Sequence, residues 1–246
     1  MADTENKCSL KNMLKAIVSV ANTEQNMFYP PSVFSDQYNT VTSLLLSKCA
    51  DIYPADNSVL DIIEPFVVRK TLPVKNGYIQ FPEDFRNLLG SPMISVTNDG
   101  CKECEGQSEI TANDFNQNVL KSGCKKVFLL MVDQSEFAFR TTSTYKAPTY
   151  DKPIGYRSGK YEIKVCPFDI KSVDVMYVKN EKLVQYGYDM QPDDTFVYNE
   201  SKSIETEWKS AAFEPIFSAL LSLYTAYTRD NNLKDWALYI KQNKLI

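Results

Sequence analysis

Residues 155–188 read GYRSGKYEIKVCPFDIKSVDVMYVKNEKLVQYGY, and the two-residue period in this run constrains the fold more than any other stretch. Tyr161, Ile163 and Val165 alternate with Glu162 and Lys164, and Val173, Val175 and Tyr177 alternate with Asp174 and Met176. Successive side chains of a strand point to opposite faces, so each segment predicts a strand with one covered apolar face and one wet face. Pro167-Phe168-Asp169 removes a ladder donor between them and favours a turn, and 179–182 is a polar connection into Leu183–Tyr188. The run predicts a three-stranded antiparallel meander with aromatics on its covered face. It is a scaffold and carries no chemical site of its own.

Both ends of the chain have helical period instead. Leu10, Met13, Leu14, Ile17, Val18 and Ala21 recur at helical spacing behind Ser9 as an N-cap. Pro30-Pro31-Ser32 starts a second helix whose stripe is Phe34, Tyr38, Val41, Leu44, Leu45 and Cys49, ending before Pro54. A short third helix is expected over Ser58–Glu64. At the other end, Ser203 is expected to cap a helix over Ile204–Phe213, with Pro215 restarting it. Ile216, Ala219, Leu220, Leu223, Tyr224 and Tyr227 continue the stripe, and Leu233, Trp236, Ala237 and Ile240 form the inner face of a last helix.

Between the ends the pattern is mostly strand. Val67–Leu72 and Gly77–Phe81 flank the turn signal Lys75-Asn76-Gly77. Pro82-Glu83-Asp84 is expected to open a short helix through Leu89. Met93–Thr97, Val127–Val132, Glu136–Thr144 and Thr195–Tyr198 are expected strands, Asn98–Ser108 a loop, and Asn113–Leu120 a surface helix. The sum is an α+β fold: N- and C-terminal helices forming a helical bundle, with a central antiparallel β module of meander or sandwich type. The expected divisions are 1–66 helical, 67–200 the β module with loop insertions, and 201–246 a helix hairpin packing with the N-terminal helices. A chain of 246 residues can bury roughly 70–75% of its extended surface and needs no staples to fold.

Composition narrows function by exclusion. There is no histidine, which removes the commonest general base, the commonest metal ligand and every Ser-His or Cys-His nucleophile pair. That points away from an enzyme. A net charge of −4 argues against a general nucleic-acid surface, and Lys125-Lys126 and Lys241–Lys244 read as solvated element ends. No run approaches the ~20 apolar residues of a membrane helix, and the N-terminus lacks a basic, apolar leader, so folding in a cytoplasm is expected. The 15 tyrosines and 13 phenylalanines suit interfaces as well as half-buried strands.

Three constellations are candidates for chemistry, and to none is a catalytic, cofactor-binding or metal residue assigned. Cys101-Lys102-Glu103-Cys104 has the spacing of half a zinc knuckle, but only Cys124 and, if the fold allows, Cys166 could complete four ligands. A metal site or a reversible Cys101–Cys104 disulfide stays open there beside plain loop thiols. Asp193-Asp194 and Glu205/Glu207 read as solvated caps rather than a catalytic pair. Pro30-Pro31 and Tyr145–Tyr156 read either as arms that dock on a neighbour or as loops packed on their own sheet.

Several motifs from about Phe34 to Trp208 share one further property. They include Phe34, Tyr38 and Asn39; Ile63-Glu64-Pro65-Phe66; GYIQFPEDF at 77–85; Ala147-Pro148-Thr149; KPIGY at 152–156; YEIKVCP at 161–167; VDVMYVK at 173–179; and Ile204–Trp208. In this order they resemble the small virion proteins of tailed phages infecting Bacteroidota, in particular the ring or adaptor proteins of crAss-like phages, which stack below the portal and line the head–tail passage. The resemblance implies a structural, non-enzymatic subunit of a dodecameric ring. That ring would touch the portal and neighbouring tail or ring proteins, meet passing DNA only non-specifically, contact no membrane and need no cofactor. A tail-tip or host-surface binding module is the alternative. It would show a solvent-facing aromatic patch.

Overall fold

The computed structural model describes residues 9–21, 30–53, 57–97, 124–193 and 195–228. Its helices are α1 (Leu10–Ala21), α2 (Pro31–Ile52), α3 (Leu60–Ile63), α4 (Gln134–Thr142) and α5 (Phe213–Thr228). Its strands are β1 (Val67–Lys75), β2 (Tyr78–Gln80), β3 (Phe85–Leu88), β4 (Met93–Thr97), β5 (Cys124–Phe128), β6 (Leu130–Met131), β7 (Ile154–Arg157), β8 (Glu162–Cys166), β9 (Ser172–Lys179), β10 (Tyr188–Met190) and β11 (Phe196–Tyr198). The chain divides into two compact units, 66–180 and 1–65 with 181–246. The fold is mixed helix and strand, with one large, mostly antiparallel sheet in the 66–180 unit. The expected helix at 113–120, the loop at 98–108 and the helix around Trp236 lie outside the described residues.

In the 66–180 unit the strand order is β5-β4-β9-β1-β2-β8-β7-β6, with β3 also on β9, and only β6–β7 is parallel. Two chain runs turn corners. Val67–Pro73 pairs with β9 while Val74–Lys75 pairs with β2, so β1 passes from one half of the sheet to the other after Pro73. The run through β5 and β6 does the same at Leu129. The Leu129 amide donates to Pro92 O at 2.7 Å, and the next amide, Leu130, donates the other way to Pro153 O at 3.0 Å. The first and last strands of the sheet are therefore one stretch of chain, and the sheet all but closes into a barrel. Gly155 faces the Leu129 corner: a Cβ there would stand 2.9 Å from Leu129 Cδ2. Inside lie Leu72, Ile79, Phe85, Ile94, Val96, Leu129, Ile163, Val165, Val173, Val175 and Tyr177. The β1–β2 turn is as expected, with Asn76 at φ 54° and Gly77 at φ 77°, the two left-handed positions of a type I′ hairpin.

Four expectations are corrected here. The Gly155–Tyr188 meander does not form: β8 pairs with β2 and β7, whereas β9 pairs with β1, β3 and β4. Alternation reports which face is covered and not which strand lies alongside, and Leu183–Gly187 runs outside any strand. The Pro82–Leu89 helix is instead a turn, Phe85 N to Pro82 O at 3.1 Å, followed by β3. Phe85 is drawn into the core, its ring 4.1 Å from Phe81 and 5.6 Å from Tyr177. The strand expected over Glu136–Thr144 is α4. Its signal was Asp133 three residues before Glu136, whose amide donates to the Asp133 carboxylate at 2.7 Å, with an i,i+4 Glu136–Arg140 ion pair behind it. Finally, Ile204–Phe213 is not a helix. The Ser203 hydroxyl donates to Asn199 O at 2.7 Å and accepts from Gly187 N at 2.9 Å, fastening two extended segments, and the helix starts only at Phe213.

The helical unit is organised by α2, entered through extended Pro30 with Pro31 in its first turn. Its polar residues hold the 181–208 segment. Asn39 Nδ2 donates to Val184 O at 2.9 Å while its Oδ1 accepts from Val184 N at 2.8 Å. Ser35 Oγ accepts from Tyr186 N at 3.0 Å, and Tyr38 OH donates to Thr206 Oγ1 at 2.9 Å. Gln185 and Ile204 exchange both backbone bonds, at 3.1 and 2.8 Å, so 183–204 is a ribbon continued by β10 and β11. Phe34, Leu46, Ile63, Trp208, Ile216, Leu220 and Tyr224 fill the interior, and α5 packs on α1 and α2. Leu44, expected on the buried stripe, is exposed.

Tyr177 supplies a pH dependence. It is 2% exposed, its hydroxyl is 3.4 Å from Asp84 Oδ1, and burial together with the Asp84 charge pushes its pKa up to about 12. The unfolded chain ionises this phenol near pH 10 and the folded chain near 12, so its contribution is whole below about pH 10 and is lost as pH rises to about 12. Urea unfolding across that window should show stability falling more steeply in the natural chain than in Tyr177→Phe. Equal slopes would refute the assignment.

Candidate functional site

Cys101, Cys104 and Asp194 lie outside the described residues. Cys166 is buried beside Phe137 and Ile154, where burial pushes its thiol pKa up, so it is a packing residue. Among the described residues no group of three Cys, Asp or Glu side chains comes together as a metal site would need. Asp193 accepts from the Thr195 hydroxyl at 2.7 Å and the Thr195 amide at 3.2 Å in the β10–β11 connection, and these bonds lower its pKa. Glu205 accepts from Tyr198 OH at 2.6 Å and from Leu10 N at 3.4 Å, which places its charge at the N-terminus of α1. Glu207 lies 3.6 Å from Lys182. Asp193 is thus held by Thr195, Glu205 by Tyr198 and Leu10, and Glu207 lies beside Lys182.

Lys125-Lys126 is corrected in part. Lys125 reaches Asp151 at 2.6 Å near solvent. The side chain of Lys126, however, is only 17% exposed and its Nζ is 3.4 Å from Asp174 Oδ2. Asp174 is buried and accepts from Thr71 Oγ1, its cross-strand neighbour, at 2.7 Å. Alternation marked Asp174 as a wet-face residue. The partners on β1 and β5 that cover it come from distant sequence. A charge of this kind pins the register of the strands that meet over it, because a slip would leave it buried and unpaired.

What is presented outward is an aromatic and apolar face on the last four strands of the sheet. Tyr78 on β2 and Tyr156 on β7 both stand directly opposite Lys164 on β8. The Lys164 ammonium is 5.4 Å from the Tyr78 ring, 5.7 Å from Phe168 and 6.0 Å from Phe137, a cation flanked by three π faces. Phe137 projects from α4 against Tyr156, their centroids 4.7 Å apart. In the next row Leu130, Ile154 and Cys166 follow one another across β6, β7 and β8. Ile154 and Cys166 are covered, but Leu130 is 51% and Phe168 53% exposed, and Phe128 two residues along is 67% exposed. Of the Tyr145–Tyr156 segment, Tyr150 packs back through a hydroxyl bond to Asp169 while Tyr145 is wholly exposed. Finding this face from sequence required the β2–β8–β7 pairing, which no local pattern states.

The face offers aromatic and apolar area with the Lys164 ammonium set among its rings. No helix of the described residues is long and apolar enough to cross a membrane. No protein-family model matches the chain, and no curated protein matches it either.

Proposed function

We propose that this chain is a structural virion protein, one subunit of a dodecameric ring at the portal–tail junction that connects head to tail and lines the DNA passage. The observation that carries the reading is the apolar and aromatic face around Lys164, with Leu130 on β6 and Phe168 in the turn after β8 left in solvent, and Phe128 exposed on β5 beyond the Leu129 corner. Large apolar side chains grouped on a regular element are unfavourable in water and suit a surface that another protein covers. In this reading the helices of the two chain ends form the bundle half of the subunit, and the portal and adjoining tail or ring proteins are its neighbours. The acidic balance of the chain keeps passing DNA from adhering. Assembly takes place in the bacterial host cytoplasm, with no cofactor and no membrane contact.

Tyr145, wholly exposed, favours a second reading as a tail-tip or host-surface binding module. Trp208, buried at 1% exposure, does not serve such a surface. Native mass spectrometry of the purified chain, alone and with the portal of the same virus, separates the two. The ring reading expects a discrete closed multiple of the 28.1 kDa subunit, twelve copies if it follows the portal. A chain that stays monomeric in both conditions but binds glycans or a host surface protein would support the second reading.

A further inference from the structure

The two units carry opposite charge. Residues 66–180 contain 16 Lys and Arg against 13 Asp and Glu, a balance of +3. Residues 1–65 with 181–246 contain 11 against 18, a balance of −7, so the whole-chain value of −4 conceals a polarity. Each unit also has an apolar surface of its own. On the positive unit it is the Lys164 face, with exposed Phe168 5.7 Å from an ammonium that no carboxylate pairs with among the described residues, and exposed Leu130 two strands away on β6. On the negative unit it is the 183–204 ribbon. There Leu183 is 73% and Ile204 about half exposed, Met190 is 65% exposed on one face of β10–β11, Val197, opposite Asp189, is about half exposed on the other, and Glu200 and Asp193 of the same ribbon are exposed.

We propose that the Lys164 face of one copy docks on the 183–204 ribbon of a second copy. This rests on the ring reading and names its contact. The two patches differ in sequence and charge, so the contact is heterologous: every copy offers both halves, and a rotation that closes produces a ring. Apolar side chains supply the buried area. The opposite charges orient the encounter, because like faces of two copies repel while unlike faces attract. Lys164 gains a carboxylate in the complex, and the aromatic rings around it exclude water from the pair.

The test uses the full chain and two variants, Lys164→Glu and Phe168→Asp, each checked for folding by circular dichroism. Native mass spectrometry against concentration, at low and high ionic strength, reads assembly. A carbodiimide cross-link on mixed ordinary and nitrogen-15 copies reads which copies touch. Both variants should raise the assembly midpoint about tenfold or more, a shift of 1.4 kcal/mol per decade, and added salt should raise it for the natural chain. The cross-link should join Lys164 of one copy to a carboxylate within 189–207 of another. If folded variants assemble as the natural chain does, the contact is overturned and the ring reading stands. Cross-links formed only within single copies also overturn it. So does a chain that remains monomeric by itself, and the ring reading is then judged by where the chain sits in the virion.

Discussion

Trp208→Ala is expected to destabilise the helical unit by about 3–5 kcal/mol, the cost of removing a buried indole and leaving a cavity. Trp208 is 1% exposed and joins three parts of that unit. Its Nε1 donates to Glu181 Oε2 at 3.0 Å, and its amide donates to Thr206 Oγ1 at 3.2 Å, the same hydroxyl oxygen that accepts from Tyr38 on α2. With total stabilities of about 5–15 kcal/mol typical of such domains, this is a large fraction. Trp208→Phe separates the two contributions: it keeps most of the apolar body and loses the Glu181 bond, for an expected cost of about 1–3 kcal/mol. Urea unfolding of both variants checks the order. A Trp208→Ala cost below that of Trp208→Phe would contradict the packing described for this side chain.

Leu129→Ala is expected to cost about 2–5 kcal/mol, because Leu129 fills the corner where one run of chain joins both ends of the sheet. The opposing Gly155 makes the prediction sharper. Gly155→Ala alone introduces a Cβ 2.9 Å from Leu129 Cδ2 and 3.3 Å from Ile163 Cγ2, an overpacking of about 1–3 kcal/mol. In the double variant the new methyl enters the space that leucine vacated, so the two costs should fall short of their sum by about 0.5–3 kcal/mol. A double-mutant cycle by denaturant unfolding measures this, and strict additivity would mean that Leu129 and Gly155 do not share a corner. Leu44→Ala, on an exposed helix position, should change stability little and serves as the control.

What could be read in advance was local. The α1 and α2 stripes, the Asn76-Gly77 hairpin turn and the covered faces of β8 and β9 follow from periodicity and from the residues that tolerate positive φ. What could not be read depended on partners remote in sequence. The strands β8 and β9 look like hairpin neighbours, yet each pairs elsewhere, because the connection at 167–171 leads across the barrel rather than back along it. Residues 181–208 have helical and strand signals in turn, but Ser35, Tyr38 and Asn39 of α2 bind their backbone and side chains in extended form. At α4 the alternation of Phe137 and Phe139 mimics a strand, while the Asp133–Glu136 cap is the signal that the fold follows. The Lys164 face was hidden for the same reason as the barrel: Tyr78, Phe137, Tyr156 and Phe168 meet only when four elements are assembled.

The most direct measurement is the position of the chain in a mature particle. A small tag or antibody fragment on an exposed segment, imaged by electron microscopy on purified virions, reads it without any purified partner. A closed ring of label at the head–tail junction, coaxial with the portal, is the predicted result. Label confined to the tail tip, or absent from purified particles while present in the infected cell, would contradict the proposed function.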